Sequence, residues 1–502
     1  MKRYIAFIFM LGLLQTAAAQ QWELDFTVPN SFNGFLGGTV DSDDNAVMIG
    51  YYGANRFLQY PWIAKVSANG EYETVNYIND EYYGVYLLSV VQLRNGNYFS
   101  AGIAKDTVSG LGNWIFTMII DKDLNIVSSR RYEKDSIADA VEYGTLLLDN
   151  DGTVILSGAY RKRDANNVNN SRAYFYRFDE DANILGKRYV VGEAGSPEQY
   201  INQYECCQLL KEPLTDNIIV LGEGTGGWLS CLFYDDDFNF VREYQMKDGY
   251  LPYFLPEACS DYWYSDHELL LLGNRRHDGI ENWHLGLAKI DLDGCVEQCE
   301  TVCHNDTMCE QALVRMGMTC VNDSTMYGIY FSYKSIGWPE IIGVFLFDKD
   351  LEVLGSKFFN DEDYLNFVPR FVLSFKDGSC VFPINDIKSY ETMAICKLMK
   401  MSREDFNPIP CGVSKIPKEQ LDALVFPNPA SDEIHFDISG LPTGKEHRIS
   451  ISDAMGRLVM SRIIRGEGNV LTVGIADFEP GIYAYTIFSG EKVSSAGKFV
   501  KK

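Results

Sequence analysis

The sequence predicts an all-β protein, a seven-bladed β-propeller followed by a small Ig-like β-sandwich. Three observations carry that expectation. An acidic turn returns at a nearly constant interval through most of the chain: Asp121, Asp179, Asp235, Asp291 and Asp348 stand 58, 56, 56 and 57 residues apart, which marks a repeat architecture. Each repeat holds four short β-type runs separated by Gly, Asp and Asn, enough for a four-stranded unit. Residues 425–502 drop the period and show six alternating runs of their own, at 433–438, 448–452, 458–463, 469–474, 482–488 and 493–500.

Taken in order, the chain opens with Lys2 and Arg3, an apolar run over 5–14 and the small-residue site Ala17-Ala18-Ala19. This is the pattern of a secretory signal peptide over 1–19. No cysteine adjoins that site for lipid attachment, and no later apolar stretch reaches the length of a membrane helix, so a soluble exported protein is expected. A formal net charge of -25 argues against a nucleic-acid partner, because phosphate binding needs a basic surface that releases counterions.

The repeats fill 20–410. Their acidic turn reads Ser67-Ala68-Asn69-Gly70, then Asp121-Lys122-Asp123-Leu124-Asn125, Asp179-Glu180-Asp181-Ala182-Asn183 and Asp235-Asp236-Asp237-Phe238-Asn239. It continues as Asp291-Leu292-Asp293-Gly294 and Asp348-Lys349-Asp350-Leu351-Glu352, with a degenerate seventh copy over 402–407. An earlier turn in the unit appears as Asp44-Asn45, Asn95-Gly96, Asp151-Gly152, Asp216-Asn217 and Asp377-Gly378. Seven four-stranded units of this length suit propeller blades, whereas a β-solenoid needs shorter repeats. The seventh unit runs into Asn407-Pro408-Ile409-Pro410, where proline removes backbone donors. The alternating segment 22–28 is therefore expected to supply the outer strand of the last blade.

Closely spaced carboxylates also suit a hard cation, but these turns lack the Gly and distal bidentate Glu of a full calcium loop. Asx side chains that cap a hairpin turn are the simpler account, and no metal or cofactor is expected. Trp62, Trp114, Trp228 and Trp283 all begin the third strand of a unit, a regular placement that points to packing between blades. All 12 cysteines lie between Cys206 and Cys411. For an exported protein local disulfides come first, buried thiols second, and a metal site last, since the cluster Cys295, Cys299, Cys303, Cys309 and Cys320 lacks zinc-knuckle spacing.

Residues 411–424 are rich in Pro, Lys and Glu and read as a linker. The segment 425–502 then presents four words in order: Pro427-Asn428-Pro429 with Asp432, Asp453-Ala454-Met455-Gly456-Arg457, Gly481-Ile482-Tyr483, and Gly497-Lys498-Phe499-Val500-Lys501. Together they resemble the type A C-terminal sorting domain of the type IX secretion system of Bacteroidetes. The resemblance implies recognition by an outer-membrane translocon, removal by a sortase-like peptidase, and delivery through the periplasm to the medium or the outer-membrane surface. It covers this segment alone and is silent about the repeats.

In a four-stranded meander the first and third turns share one end and the middle loop lies at the other. Loops on a rigid scaffold commonly carry function. The candidate ligand face is therefore that of the middle loops, with Tyr52, Arg56, Arg161, Arg163, Arg275, Arg276, His277, Tyr333 and Trp338. Guanidinium groups can hold carboxylated or sulfated sugars bidentately; exposed loops also carry such charges with no ligand. No G-x-S-x-G, P-loop or H-E-x-x-H motif is present, so no catalytic residue can be named. A glycan- or protein-binding module is the first expectation. A polysaccharide hydrolase or lyase with paired carboxylates in the funnel is the alternative.

Overall fold

The computed structural model describes residues 22–502 except 29–30, 56–57, 79–81, 83, 106–112, 134, 137, 164–168, 191–207, 224–228, 246–253, 266–267, 277–282, 292–295, 303–308, 313–316, 323–324, 334–340, 360–369, 390–391, 407–424, 438–445, 454–457, 466–469, 477 and 490–491. The described residues form strands and turns, with a short 3-10 helix at Arg403–Asp405. The chain divides into two compact units, Met1–Asn407 and Pro408–Lys502. The proposed signal peptide and linker lie outside the described residues.

Among the described residues, strands of the first unit assemble into seven antiparallel sheets in chain order. The first joins Phe32–Val40, Asn45–Asn55, Leu58–Ser67 and Tyr72–Tyr77, and the next four repeat the pattern over residues 85–132, 140–189, 208–245 and 254–302. In the sixth, Cys309–Ala312 and Met318–Asn322 both flank Thr325–Tyr333, so two short strands stand where the other sheets have one. The seventh takes Leu373–Ser374, Cys380–Ser389 and Thr392–Met401 from the end of the unit and a fourth strand from its start. Trp22–Asp25 lies antiparallel to Thr392–Met401, with Trp22 opposite Lys400 and Asp25 opposite Lys397. Phe26 continues the ladder by donating its N–H to the Cys396 carbonyl at 2.7 Å.

Layers of buried apolar side chains join neighbouring sheets. Val47 and Ile49 of the first meet Val85, Leu87 and Phe116 of the second, and Tyr327 and Val344 of the sixth meet Phe382 and Met401 of the seventh. The seventh packs on the first through Phe371 and Leu398 against Phe35 and Trp62. Trp62 stacks on Phe26 at 5.8 Å, meets Phe35 edge-on at 5.0 Å, and donates its indole N–H to the Tyr51 carbonyl at 3.0 Å. Trp114 is half-buried in the layer between the first and second sheets. Trp228 and the Trp283 side chain lie outside the described residues.

The acidic turns owe their sequence to local chemistry. Asp121 Oδ1 accepts the N–H groups of Asp123 and Asn125, and Asp179, Asp235 and Asp348 repeat the arrangement. These are Asx turns, in which the carboxylate caps the donors that a tight turn exposes. The degenerate copy differs: Asp405 accepts from the N–H and hydroxyl of Ser402, closing the short helix instead.

The same turns tie the first four sheets and the last to one another in sequence around the unit. A third-strand cation two residues ahead of its own turn reaches the next one: Lys65 Nζ donates to Lys122 O (2.9 Å) and Arg177 to the Asp236 carboxylate (3.0 Å). Lys400 of the seventh sheet donates likewise to Ala68 O of the first. Outer-strand side chains add a second bond, from Asn76 to Leu124 O, Arg130 to Ala182 O, Arg188 to Phe238 O and Trp22 to Ala68 O. The bonds between the last and first sheets are thus of the same kind as the internal ones.

Cys231, Cys320, Cys380 and Cys396 take part in no disulfide, Cys320 among them although it belongs to the densest cluster in sequence. The side chains of the other cysteines lie outside the described residues.

The second unit has two sheets. Val425–Phe426, Glu433–Asp437 and Val470–Gly474 form one; Leu458–Arg465, Glu446–Asp453, Gly481–Ser489 and Lys492–Lys501 form the other, in that spatial order. Ile434, Phe436, Ile449, Ile451, Val473 and Tyr485 alternate inward to fill the core.

Candidate functional site

The first and third turns of the sheets gather at one end of the first unit. Arg177 shows this directly: it bonds Asp149 beside the first turn of its own sheet and Asp236 in the third turn of the next, both at 3.0 Å. Lys211 bonds the same two carboxylates at 3.0 and 2.9 Å. Hydrogen bonding and attraction from Lys211, with further attraction from Arg177, hold Asp236 below the ordinary carboxylate range. Lys211 is raised: its two carboxylate bonds outweigh burial, which acts to lower it. Arg177 and Lys211 are thus each matched by two carboxylates.

Second strands run away from the first turns, so their last residues reach the opposite end. Tyr52 lies near the end of Asn45–Asn55, and Arg161 and Arg163 near the end of Val154–Arg163. Arg275 and Arg276 end Glu268–Arg276, and Tyr333 ends Thr325–Tyr333. They occupy corresponding places in the first, third, fifth and sixth sheets, on one face but not at one point. Tyr52 is half-buried and donates its hydroxyl to Ile78 O at 3.1 Å, a tie within its own sheet. Arg161 is half-buried, and its carbonyl accepts from the Asp139 N–H. Arg56, His277, Trp338 and the side chains of Arg163, Arg275, Arg276 and Tyr333 lie outside the described residues.

Four residues not singled out by sequence stand at the same end on three consecutive sheets, nearer the innermost strands. Tyr51 stands opposite Gly34 in the neighbouring first strand. Its ring fills the place of the absent side chain: a Cβ on Gly34 would lie 3.0 Å from the phenol oxygen. The glycine therefore lets the ring cross the innermost strand of its sheet. Burial pushes the Tyr51 phenol above its usual pKa, opposed by the positive charge of Arg370 and reinforced by Cys396 and Tyr86. Tyr86, second residue of Val85–Gln92, accepts a hydrogen bond from Lys105 Nζ at 2.9 Å, and the same ammonium lies 4.7 Å from the Tyr86 ring centre. Arg370 is exposed just before the seventh sheet's first strand. Among the described residues neither Lys105 nor Arg370 pairs with a carboxylate.

Further along the same first strands, toward the turn end, a cavity of about 390 Å³ is lined by six of the seven sheets, with hydroxyls from Thr39, Ser89, Thr145, Thr319 and Ser374. Thr319 and Ser374 hydroxyls lie 3.2 Å apart, and Ser89 accepts the Leu146 N–H.

In the second unit the motif residues converge. Asn428 Oδ1 accepts the Val500 N–H at 2.9 Å and its amide donates to Lys498 O at 3.4 Å. Ala430 N donates to Val500 O, and Lys502 N donates to Ala430 O. Pro427, Pro429 and Lys498 stay exposed around this clamp. Asp432 O accepts the Ile475 N–H, Asp453 pairs with Tyr483 across the sheet, and Gly481 pairs with Lys501 and Gly497 with Tyr485. Tyr483 is buried, stacks on Phe499 at 5.5 Å and donates to Glu479 O at 2.8 Å. Gly456 and Arg457 lie outside the described residues.

Residues 424–502 match the family described as the secretion system C-terminal sorting domain, and the second unit is the type IX sorting domain. Such a domain implies interaction with the type IX secretion machinery and export to the cell surface or the extracellular space. Among the described residues no helix is long and apolar enough to cross a membrane. No curated protein matches the chain. Solved structures similar to it include a protein of unknown function from Dyadobacter fermentans (11% identity, 64% of this chain and 98% of that one, TM-score 0.42). The NanB sialidase of Streptococcus pneumoniae gives 8% identity over 72% and 84%, TM-score 0.42. The β-propeller domain of the Trilobed protease from Pyrococcus furiosus, described as having an open velcro topology, gives 11% over 70% and 91%, TM-score 0.40.

Proposed function

We propose that this protein is a secreted or surface-held binding module, a seven-bladed β-propeller over 20–410 that engages a glycan or protein through its middle-loop face. In this reading 1–19 is a signal peptide and 411–424 the linker within which a sortase-like peptidase releases the sorting domain after recognition by the translocon. Seven successive antiparallel sheets, the last completed by Trp22–Asp25, support the blade count. The Tyr483 hydroxyl bonding four residues upstream at a strand start supports an Ig-like sandwich, where a tyrosine corner does the same.

The observation that carries the binding role is the contrast between the two ends of the first unit. At the turn end Arg177 and Lys211 share the Asp149 and Asp236 carboxylates, whereas at the opposite end Lys105 and Arg370 stand near Tyr86 and the first strands with no carboxylate partner among the described residues. Matched charges hold a fold together; unmatched cations beside aromatic hydroxyls suit a ligand. Screening the secreted protein against polysaccharides and surface proteins, for capture and for product release, tests it. Capture without turnover is expected, and turnover would replace the binding role with an enzymatic one. Deleting 425–502 should leave the remainder in the periplasm, and normal export of the truncated chain would remove the sorting role.

A further inference from the structure

We propose that Tyr51, Tyr86, Lys105 and Arg370 form an anion site at the axial mouth of the first unit, which takes the carboxylate or sulfate group of an acidic glycan. The proposal rests on the glycan-binding reading above and names the site and the ligand chemistry. Its geometry comes from three consecutive sheets. Gly34, Tyr86 and Arg370 stand at the entry ends of the first strands of the first, second and seventh sheets, and it is across Gly34 that Tyr51 reaches inward. The opposite ends of those strands line the axial cavity, so the four side chains sit where the axis opens on the middle-loop face.

The donor set fits an oxyanion. A guanidinium presents paired N–H groups, an ammonium presents three, and phenols each add one, while none of the four is an anion at neutral pH. Burial keeps the Tyr51 phenol protonated, so it donates. Lys105 is already oriented by its bond to the Tyr86 oxygen, which leaves its remaining N–H groups for a ligand. Lys105, whose backbone pairs with Gly84 just ahead of the second sheet, and Arg370 thus stand at the same end of their sheets, and among the described residues neither pairs with a carboxylate.

The test titrates the full chain with oligogalacturonate, dextran sulfate and neutral dextran, following Tyr and Trp fluorescence and the salt dependence. One polyanion is expected to bind, more weakly as salt rises, and to show whether carboxylate or sulfate is preferred. Arg370→Ala and Lys105→Met should each weaken binding about tenfold or more, as expected when one charged partner of an anion is removed. Arg370→Lys should fall between, since the paired N–H groups are lost but the charge stays. Gly34→Ala should weaken binding without altering any charge, by displacing the Tyr51 ring. Thermal unfolding of each variant reports whether it is folded. Undiminished binding by a folded Arg370→Ala/Lys105→Met protein overturns the site while leaving the glycan-binding reading intact. Failure of the unmodified chain to bind either polyanion also overturns the site, and only failure to bind any glycan would take that arm of the reading with it.

Discussion

Asn428 accepts a hydrogen bond from the Val500 N–H at 2.9 Å, across 72 residues, and so fastens the first word of the sorting segment to the last. Because Asn428 is exposed, water can replace its side chain, and Asn428→Ala should cost the second unit only about 1 kcal/mol. Hydrogen exchange at the C-terminal strand should then speed about fivefold, since that free energy corresponds to roughly that ratio. Asn428→Asp keeps the acceptor and should keep the protection. Equal exchange in the alanine variant would show that the backbone bonds of Ala430 hold the strand without help.

The acidic period was legible in the sequence because an Asx turn is local chemistry: Asp121 must be Asp or Asn to accept two N–H groups within four residues. The sorting motifs were legible because they recur as words. The split first strand of the sixth sheet was not, since neither Cys309–Ala312 nor Met318–Asn322 differs in composition from a whole strand. Nor was the axial cluster. Arg370 and Tyr51 are brought to the same end of neighbouring sheets only because the last sheet packs on the first, and spacing in sequence says nothing of a relation between residues so far apart. Gly34 inside an alternating run was the one available signal, since a strand glycine often marks a close approach.

Joining the last sheet to the first places Trp22 against Gly70. Gly70 holds φ +84° and a Cβ there would lie 2.7 Å from the indole. Gly70→Ala should therefore destabilise the first unit by about 2 kcal/mol, part left-handed backbone and part displaced indole. With Trp22→Ala already present, the same change should cost only about 1 kcal/mol, the backbone part alone. Urea unfolding of the four proteins gives the coupling, and strictly additive effects would mean that the indole yields without loss.

Acid and alkali should each weaken the Lys211 network, in predictable windows. Asp236 and Asp151 have depressed folded pKa values, so their contribution is complete above the unfolded carboxylate value of about 4 and is lost as pH falls through the folded values. Lys211 is raised, so its contribution is complete below about 10.4 and is lost as pH rises through its folded value. The stability difference between the native chain and Lys211→Met should thus be widest near neutrality and shrink toward pH 2 and above pH 11. Asp149→Asn should cost about 3 kcal/mol, because it leaves two largely buried cations short of their shared anion. A difference constant with pH would mean that Lys211 acts by packing.

Thiol chemistry separates the described cysteines. Burial pushes Cys231 up to about 12 and raises Cys380 and Cys396, so all three should be unreactive in the folded protein at pH 8. Cys320 is half-buried on the axial cavity and should be labelled first. Peptide mapping after brief alkylation, with and without denaturant, reads this directly. Labelling of Cys396 in the native state would show that the joint between the last and first sheets opens on that time scale, and labelling of Cys380 would show the same for the joint between the sixth and seventh.

The third turns set side-chain burial against backbone strain at equivalent places, which makes the sign of a glycine substitution a test of the packing. Ala182 and Phe238 hold φ of 59° and 60°, a region costing an L-residue about 1–2 kcal/mol. Both are buried, but Ala182 contributes a single methyl, whereas Phe238 stacks on Phe175 at 5.1 Å and lies 5.7 Å from the Arg177 guanidinium. Relief of strain and loss of a methyl worth about 0.8 kcal/mol nearly cancel, so Ala182→Gly should be neutral or slightly stabilising. Removing a buried phenyl costs about 3–5 kcal/mol, so Phe238→Gly should lose about 2–3 kcal/mol net despite the same backbone relief. If both variants proved equally stable, the phenyl would contribute nothing to the joint between the third and fourth sheets, and the turn would have to be held by its Asx bonds, the Arg188 contact to its carbonyl and the bonds of Asp236 to Arg177 and Lys211.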